Sequence, residues 1–291
     1  MKPAHLFEYV SLRASVAIVD LVPTSAALAL ARALGRGAWY ALPRRRKLAV
    51  SNVLFAGITA DPKEARRIAK ASFESFAMLT VESLLAMKIF AKDDGGDMVE
   101  NDVPEETWKL LRDPSASAIY LSAHLGNWEV GGNAISFTKT MAAVARKMNN
   151  PLVEKFLERR NPRVKMEIIP KHSKDRLALL RPLRQGKLLA LLCDQHAPSG
   201  VDVPFFGHPA KTYDSPARLH LATKTPLLFG YCVRTGPMKF RYVSSAPLSF
   251  ETTGDRDADA LAITARLNGY IEEAVRAYPE QYLWAHRRWR P

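Results

Sequence analysis

Cysteine is scarce in this sequence, which contains only Cys193 and Cys232. Both lie inside apolar runs, so we expect buried reduced thiols, and a disulfide-bonded framework is excluded. Cysteine usage of this kind is typical of a reducing compartment.

Long uncharged apolar runs are also absent. Residues 6–42 are rich in Ala, Leu and Val, but Arg13, Asp20 and Pro23 interrupt them. No stretch of about 18 residues is free of charge there, as a helix that spans a bilayer would require. We expect two amphipathic helices in the membrane interface, with residues 43–50 (PRRRKLAV) as a basic anchor for anionic headgroups. The alternative is a pair of core-facing helices with a solvated basic turn.

Several motifs that carry well-known chemistry do not occur. The sequence has no G-x-G-x-x-G or P-loop pattern after a strand, no zincin motif and no G-x-S-x-G nucleophile elbow. Nucleotide binding, zinc-dependent hydrolysis and catalysis by a serine nucleophile are therefore unsupported.

Positive charge and apolar residues are plentiful. The chain has 291 residues, of which 47% are hydrophobic, so it is long enough to bury a sizeable core. Its formal net charge of +13 favours partners such as phosphates, anionic membrane surfaces or acidic proteins. The basic residues are dispersed and form no recognised nucleic-acid motif, so we expect no nucleic-acid partner.

Strand-like and helix-like segments alternate along most of the chain. Such alternation predicts an α/β fold with a mainly parallel central sheet flanked by helices on both faces. We expect residues 1–45 to form a helical membrane-associating segment and residues 46–291 to form one catalytic domain. The predicted strands are 117–123, 141–148, 164–170, 188–194, 226–235 and 239–250. The predicted helices are 63–91, 104–113, 127–139, 150–161, 173–187, 214–225 and 257–278, with loops at 91–102 and 196–212.

The stretch AIYLSAHLGNWEVGG (118–132) places a histidine directly after a predicted buried strand. His124 and Glu129 are five positions apart, so on one continuous helix their side chains would point well away from each other. They can meet only if the helix begins between them. A carboxylate bonded to one ring nitrogen would leave the other nitrogen as a base. The alternative is that His124 caps the helix and Glu129 is an ordinary first-turn carboxylate.

A second unusual loop follows another predicted strand. Asp194 ends the apolar run LLALLC and precedes the long segment 196–212. Ligands in parallel α/β sheets bind beyond the carboxyl ends of the strands. The loops after His124 and after Asp194 could therefore share one crevice.

Several colinear stretches resemble the bacterial lipid A biosynthesis acyltransferases, the late acyltransferases that add lauroyl or myristoyl chains. HLGNWE (124–129) is similar to the acyltransferase box of that family. The other similar stretches are RRRKLAVSNV (44–53), RKMNNPLVEKFLERRN (146–161), LLCDQHAPSGVDVPFFGHPAKT (191–212) and PEQYLWAHRRW (279–289). The resemblance covers nearly the whole chain and implies a glycerolipid-acyltransferase-like fold.

The resemblance also implies the reaction. His124 is the implied general base, Glu129 its orienting partner, and Asn127 a residue that helps to position substrate. The implied activity transfers a fatty acyl chain from acyl carrier protein to a hydroxyl of a lipid A precursor at the cytoplasmic face of the bacterial inner membrane. No metal and no bound cofactor are implied.

The remaining site residues follow from the same resemblance. Arg146, Arg159 and Arg160 are expected to bind phosphates or to polarise the acyl carbonyl. Asp194 and Gln195 are expected to support the site from the neighbouring strand. The expected partners are acyl carrier protein, a lipid A precursor or related anionic glycolipid, and an anionic membrane surface.

Two alternatives stay open at this point. One keeps the chemistry and changes the acceptor to another membrane glycolipid or an aminolipid. The other is a basic protein that binds a membrane or nucleic acid without catalysis. A binding protein of that kind gives no reason for His124, Glu129 and Asp194 to converge in one apolar-walled pocket.

Overall fold

The computed structural model describes residues 3–92, 95–145, 148–160, 166–171, 175 and 177–289. The helices are α1 Pro3–Leu21, α2 Thr24–Ala41, α3 Pro43–Phe55, α4 Pro62–Phe90, α5 Glu105–Arg112, α6 Trp128–Thr138, α7 Pro151–Arg160, α8 Leu180–Arg184, α9 Ser215–Thr223 and α10 Arg256–Ala277, followed by a 3-10 helix at Pro279–Gln281. The strands are β1 Val99–Asp102, β2 Ala118–Ser122, β3 Met141–Ala145, β4 Met166–Pro170, β5 Leu188–Leu192, β6 Val201–Phe205, β7 His208–Thr212, β8 Leu227–Gly236 and β9 Lys239–Ser244.

Seven strands among the described residues form one sheet in the order β1-β9-β8-β2-β5-β3-β4. Five adjacent strands, β8, β2, β5, β3 and β4, run parallel to one another. Strand β9 is antiparallel to β8. The predicted α/β fold with a mainly parallel sheet is confirmed. Short crossovers through helices place the carboxyl ends of the parallel strands at one edge of the sheet.

The sheet is buried on both faces because its strands alternate apolar side chains between two cores. Tyr120 of β2 packs into a core under α5, α6 and the end of α4. Ile119 and Leu121 pack into a second core under α3, α9 and α10.

The predicted N-terminal helices are present as α1 and α2, and both contact α4. Gly35 of α2 lies against the α4 backbone, where a Cβ atom would come within 2.6 Å of the Glu74 Cα atom. Arg36 donates to Glu74 over 2.8 Å, and Trp39 is buried in the core. In the described part of the chain, no helix combines the length and hydrophobicity that crossing a bilayer requires. The predicted division between residues 45 and 46 falls inside α3 and stays a prediction.

Three expectations about secondary structure were wrong. Residues 201–212, expected to be an irregular loop, form the antiparallel hairpin β6–β7, because Phe206 and Gly207 both adopt positive φ angles and make a tight two-residue turn. Part of the expected loop 91–102 forms the edge strand β1, which pairs with β9. Residues 173, 174 and 176 of the expected helix 173–187 lie outside the described residues; in its described part the helix is limited to α8, and the Asp175 side chain accepts a hydrogen bond from the Leu177 backbone in a turn before it.

Candidate active site

His124 and Asp194 occupy matching positions beyond neighbouring parallel strands. Ser122 of β2 is in register with Leu192 of β5, and the Cys193 backbone N–H donates to the Ser122 carbonyl. Each of the two residues lies two positions beyond its strand, so the register brings their side chains together. The expectation that the loops after these two strands share one crevice is confirmed at this pair.

The His124 ring is held by Asp194. The distance from His124 Nδ1 to Asp194 Oδ1 is 2.8 Å, and the His124 backbone N–H donates to Asp194 Oδ2 over 3.0 Å. An ionised carboxylate only accepts, so Nδ1 carries the proton and Nε2 keeps its lone pair. The expected hydrogen bond from His124 to Glu129 is therefore replaced by a bond to Asp194, because the strand register and not the local helix supplies the nearest carboxylate.

Asp194 is almost completely buried, with a side chain 2% exposed. Burial alone raises the pKa of such a carboxyl, but the electrostatic attraction of the His124 ring and two hydrogen bonds from His124 outweigh burial and lower the pKa of Asp194. Burial and the nearby Asp194 carboxylate raise the pKa of Tyr282. Asp194 is therefore held as an anion behind the histidine.

Gln195 faces the other side of the imidazole. Its Nε2 atom lies 3.3 Å from His124 Nε2 and donates to the ring lone pair. The bond is long for its type, so an incoming hydroxyl can displace it at small cost. Gln195 thus contacts the basic nitrogen directly, whereas it was expected only to support the site from the adjacent strand.

Glu129 lies in the first turn of α6 and lines a cavity. The helix begins at Trp128, so it starts between His124 and Glu129, as the spacing argument required. The carboxyl is open to the cavity, yet most of its surroundings are protein. This desolvation raises the pKa of Glu129, and the polar Ser83 hydroxyl nearby opposes the rise. In this position Glu129 faces the space where substrate would lie.

Asn127 is fully buried and caps α6. Its Oδ1 atom accepts from the Val130 backbone N–H over 3.1 Å and from the Ser83 hydroxyl over 3.2 Å. Its Nδ2 atom donates to Glu82 over 3.1 Å. Asn127 was expected to position substrate, and its side chain is here committed to protein partners. Any effect on substrate passes through the helix that it caps.

Gly126 allows the loop to pass close to β8. Its φ angle is +63°, and a Cβ atom there would come within 2.0 Å of the Cys232 carbonyl oxygen. The next residue, Asn127, donates its backbone N–H to that same carbonyl over 2.7 Å. A side chain at position 126 would therefore push the whole box away from the sheet.

An apolar cavity of about 290 Å³ lies between α6 and the sheet. Glu129 and Trp128 line it at the helix start, and Ser122 and Leu192 line it at the strand ends. The Trp128 ring also meets the His124 ring edge to face, with 4.8 Å between centroids. The inner wall consists largely of small and apolar side chains: Met141, Ala143, Met166, Ile168, Ala190 and Leu191. Such a space suits a flexible hydrocarbon chain whose reactive end lies near His124.

The family model for the bacterial lipid A biosynthesis acyltransferases matches residues 5–291. The chain belongs to this family. It is therefore an acyltransferase of lipid A biosynthesis, and this membership argues against the interpretation as a non-catalytic binding protein. Among curated proteins, none gives a significant match.

The side chains of the three arginines expected at the site lie outside the described part of the chain. Arg146 lies outside the described residues. Arg159 and Arg160 end helix α7, and their side chains lie outside the described part. Their predicted contacts with phosphates or with the acyl carbonyl stay predictions.

Two residues of this acyltransferase site were not found from sequence. Tyr282 pairs with Leu125 across an isolated bridge, and its pKa is raised by burial and by the nearby Asp194 carboxylate. Arg288 is 2% exposed, and its guanidinium donates to the Lys211 carbonyl and the Thr212 hydroxyl. A useful signal was the aromatic density of YLWAHRRW (282–289), since a solvated tail has no reason to carry three aromatic rings in eight residues.

Proposed function

We propose that this protein is a late acyltransferase that moves a fatty acyl chain from acyl carrier protein to a hydroxyl of a lipid A precursor. The observation that carries the proposal is the His124–Asp194 pair beside an apolar cavity, to which it is linked by Trp128, a lining residue whose ring contacts His124. Family membership supports the reaction class and the lipid A pathway. The donor, the acceptor hydroxyl and the roles below are proposals.

In the proposed reaction, Nε2 of His124 takes the proton from the acceptor hydroxyl as that oxygen attacks the thioester carbonyl. A new C–O bond forms, and the carbonyl electrons move to the oxygen of a tetrahedral intermediate. Collapse of the intermediate breaks the C–S bond, and the imidazolium returns its proton to the leaving thiolate. The thioester supplies the driving force, so we propose no metal and no bound cofactor.

Asp194 supports each proton transfer without reacting itself. It holds the tautomer in which Nε2 is free to accept, and its negative charge stabilises the imidazolium that forms. We therefore assign the orienting role to Asp194 and replace the predicted His–Glu pair by a His–Asp pair.

We propose that Glu129 contacts the substrate. It lines the cavity at the end nearest His124, where its carboxyl can accept a hydrogen bond from the acceptor or the donor arm. The α6 N-terminus beside it contributes a positive dipole end that favours the developing oxyanion.

The N-terminal helices supply the proposed membrane contact. Several of their large apolar side chains are exposed, among them Phe7 and Leu21 on α1 and Leu30 and Leu34 on α2. The basic run 44–47 follows directly and suits anionic headgroups. We propose that the protein lies on the cytoplasmic face of the bacterial inner membrane, where its acceptor resides.

The decisive experiment expresses the protein in a cell that lacks its own late acyltransferases and measures lipid masses. A lipid A species heavier by one acyl chain is the expected result, and it should disappear with His124→Ala. An unchanged lipid A with a new acylated glycolipid or aminolipid would keep the chemistry and reject the proposed acceptor. No new acylated lipid at all would reject the function.

A further inference from the structure

A buried ion pair lies directly behind the acyltransferase box. Glu82 of α4 is completely buried, and Arg234 of β8 is 12% exposed. Arg234 Nη2 donates to Glu82 Oε2 over 2.7 Å, and Arg234 Nε donates to Glu82 Oε1. A buried pair with this two-pronged geometry restricts the orientation of both side chains.

Arg234 is held from two further sides. Its Nη1 atom donates to the Ser75 hydroxyl over 3.0 Å. Its backbone exchanges hydrogen bonds with the Gln281 side chain, at 2.9 Å from the Arg234 N–H to Oε1 and at 3.0 Å from Nε2 to the Arg234 carbonyl. The guanidinium therefore presents Glu82 in one fixed position.

Glu82 in turn contacts the Asn127 side chain. Glu82 Oε2 accepts from Asn127 Nδ2, and the Asn127 Oδ1 atom on the opposite side accepts from Val130 and Ser83. A carboxylate paired with arginine accepts and cannot donate. It therefore permits only the amide orientation in which the NH2 group points to Glu82 and the oxygen points to α6.

We propose that Glu82 is a positioning residue for the acyl-transfer reaction, acting by fixing the Asn127 amide that caps α6 beside His124. The proposal rests on the proposed function. Helix α6 begins at the next residue and carries Trp128 and Glu129, so the orientation of one amide sets the placement of both. Helix α4 thereby positions the acyltransferase box through Glu82, besides packing against the N-terminal helices.

The alternative orientation shows what Glu82 prevents. If the amide turned over, its NH2 group would face the Val130 N–H, and two donors would oppose each other at the start of α6. The cap would be lost, and the helix start would shift relative to His124. A displacement of about 1 Å near a reacting centre can cost about 10²-fold in rate.

The test compares Glu82→Gln, Asn127→Asp and the double variant that combines them. In the Glu82→Gln protein the amide at 127 loses its carboxylate partner and keeps the Leu79 carbonyl, at 3.4 Å, and the Val130 N–H as the groups that favour its orientation. In the Asn127→Asp protein two carboxylates face each other. The double variant restores a donor–acceptor contact between the two positions, since the new carboxylate at position 127 caps the helix and accepts from the new amide at position 82. The recovery is partial, because the NH2 group of that amide also faces Arg234 Nη2, from which Glu82 Oε2 accepts in the wild type. One negative charge then still lies close to Arg234. The matched control is Glu74→Gln, which breaks the α4 ion pair with Arg36 away from the box.

The assay uses dodecanoyl-acyl carrier protein and a lipid A precursor in detergent micelles, with product followed by mass spectrometry. We expect kcat to fall by about 10²-fold in each single variant, with KM changing less, and to rise at least about tenfold above either single variant in the double variant. Glu74→Gln should keep its kcat. A single variant with wild-type kcat, or a folded double variant no more active than the singles, would overturn the proposal.

Thermal unfolding separates this proposal from the proposed function. The unfolding midpoints should fall in both single variants and recover in the double variant whether or not the chosen substrates react. A wild-type protein without transfer activity that still shows this recovery would reject the substrates and keep the positioning role. Absence of recovery, or a double variant that fails to fold, would reject the positioning role itself.

Discussion

Asp194, 70 residues beyond His124 in the chain, holds its imidazole at 2.8 Å. The pair exists because β2 and β5 are neighbours in register, with one residue of each strand end facing the crevice. A base assembled from two strands is as rigid as the sheet that carries it. That rigidity is what a proton-transfer group needs to meet a hydroxyl and a carbonyl at once.

Replacing Asp194 by asparagine tests the orienting role. The amide keeps the size of the side chain but removes its charge and lets the imidazole adopt the wrong tautomer. We expect kcat to fall by about 10²- to 10⁴-fold, as for proton-transfer groups that lose their orienting carboxylate, while the fold survives. The measurement is steady-state acyl transfer together with circular dichroism, and a folded variant with undiminished kcat would contradict the role.

The same variant carries a pH signature in stability. The pKa of Asp194 is lowered in the folded protein, so its stabilising contribution is present above the ordinary carboxyl pKa of about 3.9 and disappears as the pH falls through the lower folded value. Asp194→Asn should therefore cost most stability near neutral pH and progressively less in strong acid. Unfolding midpoints measured across that range check the sign.

Glu129 should show the opposite dependence. Desolvation raises the pKa of Glu129, so the charged carboxylate destabilises the folded protein above that raised value, and the cost vanishes as the pH falls below the ordinary value of about 4.3. Glu129→Gln is expected to raise the unfolding midpoint at neutral pH, with no gain near pH 4, and to lower transfer by about 10- to 100-fold through a lost substrate hydrogen bond. A variant less stable than wild type at neutral pH would contradict this account.

The cavity wall should set the length of the acyl chain. Ala190 of β5 lines the cavity, so Ala190→Leu fills space that a bound chain would occupy. We expect the preference to shift to shorter acyl donors, because each methylene that no longer fits forfeits about 0.8 kcal/mol of burial. Leu189→Ile is the matched control, since Leu189 packs into the core on the opposite face of the sheet. Competition between donors of different length, scored by product mass, measures the shift; an unchanged preference would contradict it.

The exposed face of α2 should govern membrane binding. Leu30 and Leu34 are 54% and 62% exposed and lie one helical turn apart. The double change Leu30→Gln with Leu34→Gln is expected to weaken binding to anionic vesicles by at least about tenfold, because each buried leucine contributes about 1.5–3 kcal/mol. Leu261→Gln, at an exposed leucine of α10, serves as the control. Equal flotation of both variants with vesicles would argue against an interfacial α2.

The sequence was most informative where neighbouring residues decide the structure. The end of β2 just before His124 and the start of α6 before Glu129 follow from local patterns, and both were predicted. The partner of His124 was not, because two carboxylates were available and only the register between β2 and β5 favours Asp194. Glu82 and Arg234 are 152 positions apart, and no local sequence pattern around either residue predicts that they pair.

The hairpin β6–β7 was missed for a different reason. Pro204 and Pro209 oppose each other in the two strands, and proline ordinarily argues against a strand. A two-stranded hairpin has free edges, so each proline can sit where no ladder hydrogen bond is needed. The alternation of the apolar residues Val203 and Phe205 indicates a strand, and it should have been given more weight than the prolines.

The bridge between Tyr282 and Leu125 has a consequence for the order of events in the cell. His124 emerges from the ribosome early, and Asp194 follows, but Tyr282 and Leu283, whose backbones bond to Leu125 and His124, are synthesised only near the end of the chain. A nascent protein therefore has both strands of the site long before it has the segment that holds the His124 loop. We expect activity only once nearly the whole chain has been synthesised, so unfinished chains should not acylate lipid.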